Sequence, residues 1–147
     1  MPPTELLEKP EEILLKCVIV VEAELPLGLA SNAIAILGVS LGSHLPSIVG
    51  PVVIDGSGAA HKGLLTIPLP ILQANRETVR NVRRKALGFE DVSVFDFTEY
   101  ARKARTYEGY ALELGNTQEE HLEYIAVALH GPASTVKKLT GQLKLFS

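Results

Sequence analysis

Cysteine is almost missing from this sequence: Cys17 is the only one in 147 residues. One thiol excludes a disulfide framework within the chain and argues against a zinc cluster, which needs several soft ligands. It stands in an apolar run and reads as a buried structural thiol. Excess positive charge is missing too. With a net charge of −3 and a pI near 5.8, the chain is not expected to bind nucleic acid through overall charge, although a local basic face stays open. The longest apolar run, residues 29–41, falls short of the ~20 residues of a membrane span. At the N-terminus Pro2, Pro3, Glu5 and Glu8 stand where a secretory leader would be basic and then apolar, so a cytoplasmic protein is expected. Internal repeats, low-complexity segments, a nucleophile elbow and a Rossmann fingerprint are all lacking. His44, His61, His121 and His130 are scattered without metal-ligand spacing, and neither a metal nor a cofactor is expected.

What is present is concentrated in residues 16–42. Lys16–Glu22 is short, apolar and β-branched, and reads as a buried strand. Pro26 and Gly28 punctuate it. Leu29–Leu41 is then a helix whose only polar residues are Ser31, Asn32 and Ser40, apolar enough to require cover on most sides. The small residues Gly28, Ala30, Ala33, Ala35 and Gly38 would bring that helix close to a sheet.

Residues 1–15 read as a loose lead-in and 16–147 as one domain. Val52–Ile54 followed by Asp55-Gly56-Ser57-Gly58 signals a hairpin. Leu64–Ile67 reads as a second core strand ending at Pro68 and Pro70. Asn75 caps a helix to about Leu87, Asp91–Phe95 is a third strand, and Thr98 opens a helical region over 99–114. Leu122–Leu129 is a fourth strand, followed by a helix from Ala133 to Leu139 and an extended tail. The alternation argues an α/β fold in three layers, an α/β/α sandwich.

Two stretches carry a resemblance. The end of the chain, Gly131-Pro132-Ala133 through Leu145-Phe146, resembles the C-terminus of peptidyl-tRNA hydrolase of the second type. LPLGLASNAIAILGVSLG followed by GPVVIDGSGAAHKGLLTIPLPIL resembles an uncharacterised family filed as a domain of unknown function, number two thousand, and placed on the same fold. The resemblance implies a four-stranded mixed sheet of order 2-1-4-3, with strand 4 antiparallel and a small hairpin insertion. It also implies a homodimer. The hydrolases carry lysines at the start of the first helix, where this chain has Leu29 and Ser31, and polar partners where it has Ala35 and Gly38. Loss of the peptidyl-tRNA hydrolase activity is therefore expected.

Asn32, Thr66 and Asp96 are expected around one concavity where the parallel strands end, with Gly28 at the turn as a further ligand-binding residue. Asp96 reads either as a cap-like acceptor or as a catalytic acid, with His121 as its acid–base partner or as a plain surface histidine. Arg76, Arg80, Arg83 and Arg84 form a basic stripe, read either as a solvated face or as a surface for an anionic partner such as RNA. A small molecule or anion in the strand-end cleft is the leading expectation. A hydrolase rebuilt around Asp96 and an RNA-associated protein are the alternatives, and no membrane partner is expected.

Overall fold

Alternation in the first strand sets the layers. The structure, a computed structural model, describes residues 14–147, so nearly all of the expected lead-in lies outside the described residues. Strand β1 (Leu15–Glu22) buries every side chain from Cys17 to Val21. Cys17, Ile19 and Val21 enter one core cluster with Ala30, Ala33 and Leu37 of helix α1 (Leu27–His44). Val18 and Val20 enter a second cluster with Val79 and Val82 of α2 (Arg76–Ala86) and Val136 of α5 (Ala133–Thr140). A strand apolar on both faces needs cover on both, and the helices supply it.

The remaining elements, in chain order, are β2 (Val53–Ile54), β3 (Ala60–His61), β4 (Ile71–Ala74), β5 (Ser93–Thr98), α3 (Glu99–Lys103), α4 (Tyr107–Gly115), β6 (Tyr124–Pro132) and β7 (Lys144–Leu145). The main sheet is mixed and runs β5-β6-β1-β4-β7. β1 and β4 are parallel, whereas β6 is antiparallel to both its neighbours, β1 and β5. Five strands stand where four were expected, because the C-terminal tail adds β7 along β4.

The expected strand at Leu64–Ile67 is not part of this sheet. Its backbone is used by residues 48–50 instead: Thr66 N donates to Ile48 O at 2.8 Å and Gly50 N to Leu64 O at 2.8 Å. Pro68 and Pro70 have no N–H to give a ladder, so pairing with β1 begins only at Ile71. The two-stranded sheet of β2 and β3 projects from this region. At its turn Gly58 has φ +89°, and a Cβ at Gly63 would collide with the Gly50 carbonyl.

Three further expectations change. Helix α1 buries only one stripe and leaves Leu27 and Val39 open, at 72% and 74% exposure. Nothing lies within 4 Å of a Cβ placed at Gly28 or Gly38, so close packing does not explain either glycine. The helical region 99–114 is two helices, because Ala104 is extended and Thr106 caps α4, accepting from Gly109 N at 3.0 Å.

Candidate functional site

The end of the sheet where β1 and β5 finish is dominated by charge. Asn75 caps α2 as expected, its Oδ1 accepting from Thr78 N at 2.8 Å. Helical spacing then puts Arg76, Arg80 and Arg83 on one face, aimed at the strand ends. Arg76 donates to Glu22 at 2.7 Å, to Glu99 at 2.9 Å and to Glu123 at 2.9 Å. Arg80 donates to the Leu122 carbonyl at 2.6 Å and pairs with Glu119 at 3.2 Å. Arg83 Nε donates to Asp96 Oδ2 at 3.1 Å, and its guanidinium lies 4.5 Å from the Tyr124 ring centroid.

The electrostatics follow from this crowding. Burial pushes the Glu99 carboxyl up, but hydrogen bonds and charge from Arg102 and Arg76 outweigh it and hold Glu99 below the usual range. Burial, against the pull of Arg83 and with help from Glu119, pushes the Tyr124 phenol up to about 12. Tyr124 therefore stays protonated and donates to Glu119 at 3.0 Å. Arg76, Arg80 and Arg83 are tied to carboxylates, so three of the four arginines of the stripe are neither solvated nor open, while Arg84 is exposed and donates to Asn81 Oδ1 at 2.6 Å.

Several cavities border this network, and two of them hold expected site residues. One, of about 310 Å³, is lined by Arg76, Arg80, His121 and Glu123 among others. The second, of about 400 Å³, lies beside β5, between the middle of α1 and the α3–α4 segment. Ile36, Leu37, Phe97 and Ala101 give it an apolar lining, and Ser40, Asp96, Arg105 and Tyr110 add polar groups. Burial, with the charge of Asp96 nearby, raises the Tyr110 phenol. Arg105 has no ion-pair partner among the described residues, and neither has Arg84, which does not line this cavity, whereas Arg76, Arg80, Arg83 and Arg102 all have one.

The expected site residues are dispersed. Asp96 lines the second cavity, but it sits inside β5 rather than closing it, and its carboxylate is engaged by Arg83. His121 lines the other cavity and shares neither with Asp96. Asn32 is exposed on α1 and lines neither cavity, and Gly28 is exposed at the helix start. Thr66 is spent locally, its Oγ1 donating to Ile48 O at 3.2 Å. Sequence reasoning missed Ser40, Arg105 and Tyr110 as a group, because α1 and α4 meet only through the fold. The spacing of Arg76, Arg80 and Arg83, set against Glu residues at the predicted strand ends, was the available signal for the ion-pair network.

Comparison with curated proteins finds no match. Among solved structures, the protein of unknown function Atu0240 from Agrobacterium tumefaciens strain C58 is similar in fold. Its TM-score is 0.83 at 17% identity, covering 90% of this chain and 98% of that one. Residues 15–147 match the family described as protein of unknown function, DUF2000. The chain belongs to that family.

Proposed function

We propose that the protein binds a small molecule with an apolar body and an anionic end in the cavity between α1, β5 and the α3–α4 segment. One observation carries the reading: Arg105 lines an apolar cavity of about 400 Å³ and has no carboxylate partner among the described residues, whereas Asp96 of the same lining is paired with Arg83. A cavity of this size with a few polar groups suits a small ligand. The apolar lining receives the body, Arg105 pairs with the anionic group, and Ser40 and Tyr110 offer hydroxyls for orientation. The fold likeness to peptidyl-tRNA hydrolase of the second type belongs to the same reading, with the chemistry lost at Leu29 and Ser31. The rebuilt hydrolase loses its support, since Asp96 is held by Arg83 and His121 is elsewhere. The RNA-associated alternative is weakened, since Arg76, Arg80 and Arg83 are paired with carboxylates and Arg84 alone of its face has no carboxylate partner among the described residues.

The test is a thermal-shift screen of aliphatic and aromatic carboxylates and phosphates against wild type and Arg105→Gln. A ligand at ~100 times its Kd stabilises by about 2.7 kcal/mol, which for a chain of this size raises Tm by roughly 5–10 °C. The shift is expected in wild type and lost in Arg105→Gln. Anions that shift both proteins equally place the ligand elsewhere.

A further inference from the structure

The chain has four tyrosines, four phenylalanines and no tryptophan. Three of these rings, Phe97, Tyr107 and Tyr110, line the cavity between α1, β5 and the α3–α4 segment. Two elements deliver them. β5 buries Phe97 in the cluster beneath α1. On α4 a spacing of three puts Tyr107 and Tyr110 on one face. Their rings meet edge to face, with centroids 5.7 Å apart and planes at 60°. Thr106 fixes where that face begins, since it caps α4 and lines the same cavity.

The tyrosines differ in what their hydroxyls do. Tyr100 Oη lies 3.2 Å from Thr117 Oγ1, and Tyr124 donates to Glu119 at 3.0 Å. The hydroxyls of Tyr107 and Tyr110 have no hydrogen-bond partner among the described residues. Tyr124 is 1% exposed, whereas Tyr107 is 79% exposed although it borders a cavity with apolar walls. α4 has no buried residue, so its two rings do not hold the core together. An edge-to-face pair leaves ring surface for a third ring to meet.

We propose that the ligand of this cavity is a flat aromatic monocarboxylate, its ring held against Tyr107, Tyr110 and Phe97 and its carboxylate on Arg105. This rests on the reading that the cavity takes an apolar body with an anionic end, and it names both parts. Aromatic pairs gain more than their buried area, because ring edges attract ring faces, and a saturated ring lacks that term. At the other end, one guanidinium matches one planar carboxylate through two parallel N–H donors. A phosphate would bring nearly two negative charges to a lining with one unpaired cation and the Asp96 carboxylate. The Asp96 charge is felt in the cavity, where burial first and then that charge raise the Tyr110 phenol. Tyr110 therefore stays a neutral donor at the polar end.

Isothermal titration calorimetry on the full chain compares three matched probes: phenylpropanoate, cyclohexylpropanoate and phenethyl phosphate. The saturated ring is the more apolar, so a lining that is only apolar takes cyclohexylpropanoate at least as well. Wild type is expected to bind phenylpropanoate about threefold or more tighter than cyclohexylpropanoate, and tighter than phenethyl phosphate. Tyr107→Leu should narrow the ring preference, and Tyr107→Leu with Tyr110→Leu should abolish it. Circular dichroism should be unchanged in both, because α4 buries no side chain. Arg105→Gln should lose both carboxylates. Equal binding of the two carboxylates, with both lost in Arg105→Gln, overturns the aromatic ligand and leaves the anion-binding cavity standing. Tighter binding of phenethyl phosphate, or a ring preference that survives the double change, overturns it as well. Binding of neither carboxylate also overturns it, and a blank result from the wider anion screen removes the anionic ligand altogether.

Discussion

Helices α1 and α2 cover opposite faces of one sheet and are held there by different forces. α1 has no Asp, Glu, Lys or Arg and contacts the sheet through Ala30, Ala33, Leu37 and Leu41. α2 adds to Val79, Val82 and Ala86 an arginine face locked to five carboxylates. Burial of apolar area is strong but has no direction. Ion pairs add modest net stability, yet they fix register and orientation, because a misplaced arginine leaves charges uncompensated. The uncharged side is therefore free to present an apolar surface outward. The charged side consumes its own functional groups in holding the fold.

The largest effect should come from α1. Leu37 is 2% exposed and fills the cluster between helix and sheet. Leu37→Ala is expected to cost about 2–5 kcal/mol in urea unfolding. A loss under ~1 kcal/mol would mean that the small-residue helix collapses onto the gap, and that its packing is not specific. Next comes the charged side. Arg76→Ala leaves Glu22, Glu99 and Glu123 facing one another, and about 1–3 kcal/mol should be lost, partial exposure keeping it below the fully buried case. A double-mutant cycle with Glu99→Gln should recover part of that loss, since it removes one of the stranded charges. Simple additivity would show the two groups to be energetically independent.

Acid should weaken the α2 side selectively. Glu99 titrates lower in the folded chain than in the unfolded one. The unfolded chain then takes up the proton first, so the contribution of Glu99 is full above its ordinary pKa of about 4.3 and is lost as pH falls through the folded value. Unfolding midpoints measured downward from neutral pH should drop more in wild type than in Glu99→Gln below that point.

Local signals were legible in the sequence wherever chain neighbours decide the outcome. Asn75 and Thr98 cap helices because their side chains reach an N–H three residues on. The β-branched run of β1 becomes a strand buried on both faces. Two elements were missed for a shared reason. Leu64–Ile67 has strand composition, but its partners are residues 48–50, whereas the less apolar Ile71–Ala74 lies beside β1. Propensity names what a segment can do, and pairing decides what it does. The candidate site failed similarly. Asn32 and Thr66 were drawn from their own elements, whereas the cavity joins Ser40, Asp96 and Arg105 from three parts of the chain.

The smallest effect belongs to a histidine on the α1 side of the sheet. His130 of β6 is in register with Cys17 of β1 on one side and Ser93 of β5 on the other. Cys17 shows how dry that face is, its thiol pushed up to about 11 by burial. Nε2 of His130 is buried without a hydrogen-bond partner among the described residues, and burial lowers the pKa of the ring. An unpaired buried polar atom costs about 1–3 kcal/mol, so His130→Leu, which removes it at similar volume, should be neutral or stabilise by up to about 1 kcal/mol. The pH dependence gives a second reading. A histidine with a lowered folded pKa is protonated first in the unfolded chain, so wild type should lose stability as pH falls below about 6.5, and His130→Leu should lose less. Urea unfolding at neutral pH and about one unit below 6.5 separates the outcomes. If His130→Leu is weaker by more than ~1 kcal/mol at neutral pH, Nε2 has a partner such as an ordered water, and the α1 side holds a polar anchor of its own.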